Sequence, residues 1–160
     1  MSKRIVFVMV AIVMAASGVF AGEMAWYNPS KCALCMSMTK VPGLMEATDC
    51  EQLNLSNGIV CVTTVEDRYL KGYRESHAKM MAAVARLEKG EQVDLCGSCT
   101  AFGAIMQKGV MQEYKETKRG DVWIVTSATP AVAMELQAWA KRNTDEMAKM
   151  KMASGKAAKM

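Results

Sequence analysis

Two cysteine pairs with the same spacing, Cys32-Ala33-Leu34-Cys35 and Cys96-Gly97-Ser98-Cys99, are the residues of this chain best suited to chemistry. A CxxC sets two sulfurs close together at a turn or a helix start. Free N–H groups and the helix dipole there favour the thiolate, which serves as nucleophile and metal ligand alike. Three chemistries follow. Brought together, four thiolates close a tetrahedral site for Zn²⁺, while two or three sulfurs suit Cu(I). Used separately, a pair can cycle between dithiol and disulfide. In an exported chain the cysteines can also be structural disulfides. A bridge inside one CxxC closes too short a loop to constrain the unfolded chain much, so a structural bridge would join one pair to the other or to Cys50.

Other soft donors stand near the first pair. Met36 and Met38 follow Cys35, and helical spacing would set Met36 beside Cys32 and Met38 beside Cys35. The second pair has Thr100 and Phe102 at those places, so the first looks more like a donor set. His77, the one histidine, lies on the apolar stripe Tyr69, Tyr73, His77, Met80, Val84, Leu87 of an expected helix, with Met80 and Met81 three and four residues on. Cysteine, methionine and histidine together suit Cu(I). The metal candidates are therefore Cys32, Cys35, Cys96, Cys99, Met36, Met38 and His77, with Cu(I) or Zn²⁺ as the ion. A core histidine among space-filling methionines is the plainer account of His77.

Much else is missing. The sequence holds no Gly-rich phosphate loop, no Ser-His-Asp set, no HExxH and no CxxCH. With a single histidine on an apolar stripe, general acid–base schemes lack an obvious base. Binding is favoured over catalysis, with a thiol–disulfide oxidoreductase or a disulfide-stapled interaction domain as the alternatives. A formal charge of +4 over 160 residues is too mild for a dedicated nucleic-acid binder.

The run from Cys32 to Met38, a cysteine followed closely by methionines in a small exported chain, resembles the motif of copper accessory proteins for nitrous oxide reductase. Those are exported and built from duplicated α/β units. The resemblance implies a Cu(I) ligand role for this segment. The Cys–Met spacing differs from theirs, and the chain lacks their lipoprotein cysteine. The wider pattern, LCGSC with Phe102-Gly103 and a closing GDVWIVTS strand and helix, also looks like a group of exported bacterial double-CxxC proteins.

The elements that must position these residues read as one unit written twice. After the first CxxC come a helix, a strand over Cys50 to Ser56, an Asn57-Gly58 turn, a β-branched strand over Ile59 to Val65 and a long helix from Glu66 to Lys89. After the second come a helix from Thr100 to Lys108, strands over Val110 to Lys118 and Asp121 to Ser127 around Arg119-Gly120, and a helix from Pro130 to about Lys149. The pairs are offset by 64 positions, Gly58 and Gly120 by 62. Two such units, about 26–90 and 91–150, predict an α+β fold with one four-stranded antiparallel sheet against helices. An Asn57-Gly58 turn would set Cys50 opposite Val65, away from Cys61.

The ends belong to processing rather than to the core. Lys3 and Arg4, the apolar run Ile5 to Ala16 and the small residues Val19-Phe20-Ala21 predict a signal peptide over 1–21, cleaved before Gly22. Losing Lys3 and Arg4 lowers the formal charge from +4 to +2. No other apolar stretch is long enough to span a membrane. The expected compartment is the periplasm or beyond, where disulfides are permitted. A metal ion is the expected ligand, with a periplasmic partner protein beside it. The single domain covers 22–152, and 153–160 reads as a disordered tail.

Overall fold

A computed structural model of the chain describes residues 25–157. The expected signal peptide therefore lies outside the described residues. Four strands form one antiparallel sheet: β1 Thr48–Leu55, β2 Gly58–Val65, β3 Met111–Thr117 and β4 Gly120–Thr126, in the spatial order β1-β2-β4-β3. The helices are α1 Met36–Thr39, α2 Leu70–Glu88, α3 Gly97–Met106 and α4 Pro130–Ala157, with a 3-10 turn over Asp67–Tyr69. The α+β class and the four-stranded antiparallel sheet against helices are as the sequence predicts.

The central strands pair symmetrically. Gly58 faces Thr126, Thr64 faces Gly120, and Cys61 faces Trp123 at the middle. Adding 62 to any β2 position from Gly58 to Thr64 gives a β4 position, so the register maps onto itself across the Cys61–Trp123 pair. Both hairpins obey the same offset, since Leu55 pairs with Gly58 and Thr117 with Gly120. This is a symmetry of register, and descent by duplication remains a reading of order and spacing.

The turns differ from expectation by two residues of register. The first hairpin loop is Ser56-Asn57, and Gly58 already belongs to β2. Among the described residues no non-glycine has a positive φ, so this loop is not one of the mirror-image turns that favour Asn-Gly. The glycines serve a different need. A Cβ at Gly58 would stand 2.0 Å from the Val125 carbonyl oxygen, and one at Gly120, where φ is +151°, would stand 2.0 Å from the Thr63 oxygen. Each central strand opens with the one residue that lets its neighbour's backbone come so close.

Helices cover one face of the sheet. Ile59, Cys61 and Val125 pack with Ile105 of α3 and Val132, Leu136 and Ala140 of α4, with Phe102, Trp123 and Trp139 around them. A second cluster joins Leu44, Val65 and Tyr73 of α2, with Met38 and Val41 against it. All the strand residues in these clusters lie on one face of the sheet, as a period of two requires. Asp121, also on this face and 4% exposed, accepts hydrogen bonds from the hydroxyls of Tyr73 and Tyr114. Burial beside that carboxylate pushes the Tyr73 hydroxyl well above its ordinary pKa.

The helix that follows the first CxxC is only four residues long. Pro42 cannot continue a helix and restricts Val41 before it, and Gly43 then turns the chain. The second CxxC starts a ten-residue helix because Thr100 to Met106 holds no such breaker. At the other end, α4 runs to Ala157, past the Met152 where the sequence predicts fraying. Its Ala, Lys and Met residues are strong helix formers, and adding a residue to an existing helix is cheap.

The close glycines generate a prediction. Gly58→Ala or Gly120→Ala should destabilise the fold by at least about 2 kcal/mol, because the neighbouring backbone must move. Gly103→Ala in α3, where a Cβ would meet nothing within 4 Å, should be neutral or stabilising by up to about 1 kcal/mol. Urea unfolding of the three variants measures both, and equal effects at all three positions would refute the backbone-contact argument.

Candidate metal centre

The segment carrying the first CxxC forms neither a strand nor a long helix, so other interactions must hold it. Three backbone bonds tie it to the second CxxC: Ala33 N–H to the Asp94 oxygen (2.8 Å), Gly97 N–H to Ala25 (3.2 Å) and Ser98 N–H to Trp26 (2.9 Å). The last two use N–H groups at the start of α3 that have no partner inside the helix. Side chains add to this clamp. Asn143 of α4, 2% exposed, accepts from Trp26 Nε1 and from Ser98 Oγ, each at 2.8 Å. The Arg142 guanidinium lies 3.8 Å over the Trp26 ring.

This clamp brings the two CxxC motifs face to face. The ligand atoms of Cys32, Cys35, Cys96 and Cys99 all lie within 4.8 Å of one another. Cys99 Sγ is 3.6 Å from Cys32 Sγ and 3.7 Å from Cys35 Sγ. A tetrahedral ion with bonds of about 2.3 Å needs sulfur–sulfur edges of ~3.8 Å, so the contacts match one ion at the centre. Burial follows the motif. The first cysteine of each pair is interior, Cys32 at 0% and Cys96 at 2% exposed, and the second is half-buried.

The thiols do not share charge evenly. Cys35 ionises first. A hydrogen bond from Cys99 pulls its pKa down to about 6, against the opposing pull of burial, and Cys32 and Cys96 add further hydrogen bonds. Cys99 holds the proton of that shared bond and is pushed up, with burial and the Cys35 charge adding to the effect. Burial also raises Cys32, although the backbone N–H groups of Cys96, Leu34 and Cys35 point at its sulfur and partly offset this. Such N–H···S contacts are what a buried thiolate ligand requires from its surroundings.

The other sequence candidates are placed elsewhere. Met36 lines an open depression of about 810 Å³ beside the first pair, with Lys31, Ala33, Arg86 and Asp94. Met38 packs in the Leu44, Val65 and Tyr73 cluster. His77 stacks on Tyr114 of β3, centroids 4.7 Å apart and planes at 8°. The four-thiol group includes none of the three.

Cys50 and Cys61 correct an expectation. The register sets Cys50 opposite Thr63 and Gln52 opposite Cys61, so the two cysteines are diagonal neighbours on the helix-covered face. Cys61 donates a hydrogen bond to Cys50, which lowers the Cys50 pKa and raises that of Cys61. Placing the turn one residue too late shifts the register by two and hides this contact. The supporting residues Trp26, Ser98 and Asn143 also went unread. Asn143 did leave a signal, being the polar member of the stripe Leu136, Ala140, Asn143 on α4.

No protein-family model matches the chain, and no curated protein or solved structure matches it either. The geometry of the centre therefore carries the functional reading.

The shared proton gives a pH prediction. Ligand thiols must lose their protons to bind a metal. Cys35 is protonated at pH 5 and ionised by pH 7, so Zn²⁺ uptake should release about one proton fewer at pH 7, with the change centred near pH 6. Calorimetry in buffers of different ionisation heat counts the protons. A constant release across this range would refute the Cys35 assignment.

Proposed function

We propose that this chain is an exported soft-metal-binding protein whose Cys32, Cys35, Cys96 and Cys99 hold one Zn²⁺ in a closed tetrahedral site. The observation that carries the reading is the packing of four sulfurs within 4.8 Å of one another. That spacing suits a single ion and is too tight for a multi-iron cluster, whose ligand sulfurs must stand around the cluster's own bulk. Zn²⁺ takes four thiolates readily, whereas Cu(I) suits two or three sulfurs. Met36, Met38 and His77, the donors that favoured copper, have other contacts.

A site closed by four protein ligands leaves no position for a substrate, which favours binding over catalysis. What the ion can do here is mechanical. It ties the 25–35 segment to the start of α3, while none of the four cysteines belongs to the sheet or to its two apolar clusters. Occupancy would thus report through the docking of that segment, which suits a sensor or a carrier that exposes a new surface on release.

Metal removal tests this. Purified protein should contain about one Zn²⁺ per chain, and Cys96→Ser with Cys99→Ser should abolish it. A chelator should make the 25–35 segment sensitive to protease and change Trp26 fluorescence, with the far-ultraviolet sheet signal retained. Reduced protein that takes up no Zn²⁺ above background in equilibrium dialysis would end the metal reading.

A second reading has its own observation. Cys35, half-buried with its pKa pulled down to about 6, stands 3.7 Å from Cys99, as an exchange-active thiol with a resolving partner would. Oxidation would join their sulfurs, sending two electrons and two protons to a partner's disulfide. A Cys35–Cys99 disulfide found by peptide mapping of unreduced protein, in place of bound metal, would favour this reading.

A further inference from the structure

The sheet has a second face. Period-two alternation sends Leu53, Leu55, Val60, Val62, Met111, Val122 and Ile124 away from the helices. Among the described residues no helix packs there. Leu53 is 47% and Met111 62% exposed, and the four valine and isoleucine residues of the central strands are only half-buried. A contiguous apolar patch across four strands marks an interaction surface more often than free surface.

The charges on this face indicate what covers it. Read across the sheet from β1 through β2 and β4 to β3, one row is Glu51, Val62, Val122, Lys115 and the next is Leu53, Val60, Ile124, Glu113. The row beyond is Leu55, Gly58, Thr126, Met111, and the opposite rim is polar, with Asp49, Thr64, Gly120 and Thr117. Turn a second copy over about an axis parallel to the strands, above the β2–β4 seam. Each row then lies on its own reverse. Glu51 meets Lys115 of the other copy, twice by symmetry. Val62 meets Val122, Val60 meets Ile124, and Leu55 meets Met111. Leu53 over Glu113 is the one unlike pair, and Glu113 is already 3.6 Å from Lys115 in its own chain. An axis across the strands would instead set Glu51 against Leu53, with no opposite charge for it.

We propose that this face binds a second copy of the same chain, sheet on sheet, with reciprocal Glu51–Lys115 pairs flanking a Val60, Val62, Val122 and Ile124 centre. Aligned sheets pack about 10 Å apart at roughly −30°, so the match holds best at the centre. The interface is isologous and closes on itself, giving a dimer and no fibre. It lies on the face away from the helices, so it does not depend on metal in the four-cysteine centre.

Charge reversal tests the arrangement. Sedimentation of the protein as processed by the expressing cell should show a concentration-dependent dimer. Glu51→Lys or Lys115→Glu alone should weaken it at least about tenfold, through like charges set together. The double variant should restore it, which a merely structural effect would not do. Val60→Glu should give a monomer whose circular dichroism and metal content are those of the parent. A parent that is monomeric at every concentration, a dimer indifferent to Val60→Glu, or a double variant no tighter than the singles would each overturn the proposal.

Discussion

Four sulfurs crowded into one small volume set a condition that the rest of this structure must meet. They lie within 4.8 Å of one another, and Cys32 and Cys96 are shut away from solvent. Four thiolates there without a cation would be prohibitive, since burying even one unpaired charge costs far more than a fold can spare. The group must therefore share protons, bond covalently or enclose a positive ion. Whichever state prevails also governs the 25–35 segment. That segment has no ladder of its own and relies on three backbone bonds, Trp26 and Asn143 to stay against α3. If the group encloses an ion, as proposed, metal occupancy and local order would be one equilibrium, because a preformed site rarely exists without its ion.

The inner and outer cysteines divide the work. Cys32 and Cys96 sit deepest, and backbone N–H groups aimed at Cys32 replace the solvent it has lost. Cys35 and Cys99 form the outer edge and trade one proton between them. Exchange with the surroundings, of an ion or of a disulfide, must begin at this outer pair. The depression lined by Lys31, Met36, Arg86 and Asp94 flanks the same motif, with charges of both signs around it. It offers an approach to the first CxxC without breaking the core under α4.

What the sequence could show depended on the range of the interaction. The β-branched run Ile59 to Val65 and the glycines 62 residues apart were enough for the sheet, because strand patterning is local and periodic. The matched CxxC pairs made a shared four-thiolate site a real option, since order and spacing limit how two like units can meet. Register was harder. An Asn57-Gly58 turn and a Ser56-Asn57 turn read alike until it is known that Gly58 must lie against the Val125 carbonyl, a contact from the far half of the chain. His77 shows the same limit. Its stripe on α2 told that it faced inward, but only tertiary packing set it on Tyr114 and away from the sulfurs. Met36 and Met38 read from sequence as sharing a helix with the cysteines, but α1 begins only at Met36, and Met38 packs with Leu44, Val65 and Tyr73.

The same register bears on how six free thiols coexist. Cys50 and Cys61 touch through a hydrogen bond, yet they are diagonal partners on adjacent strands. Diagonal positions stand ~7–8 Å apart at Cα, beyond the ~6.8 Å that a disulfide tolerates. Closing that bridge would mean moving β1 against β2 over a packed α4. Strand geometry thus opposes a disulfide between them. The four-cysteine group has no such protection, since its sulfurs sit on a turn and a helix start and are already in contact. In a disulfide-permissive compartment, such as the N-terminal sequence leads one to expect, a bound ion would be its main defence against oxidation. Zinc has no redox chemistry of its own and occupies the electron pairs an oxidant would attack. On the zinc reading, two sets of cysteines in one small chain would stay reduced for different reasons, one by strand geometry and the other by its ligand.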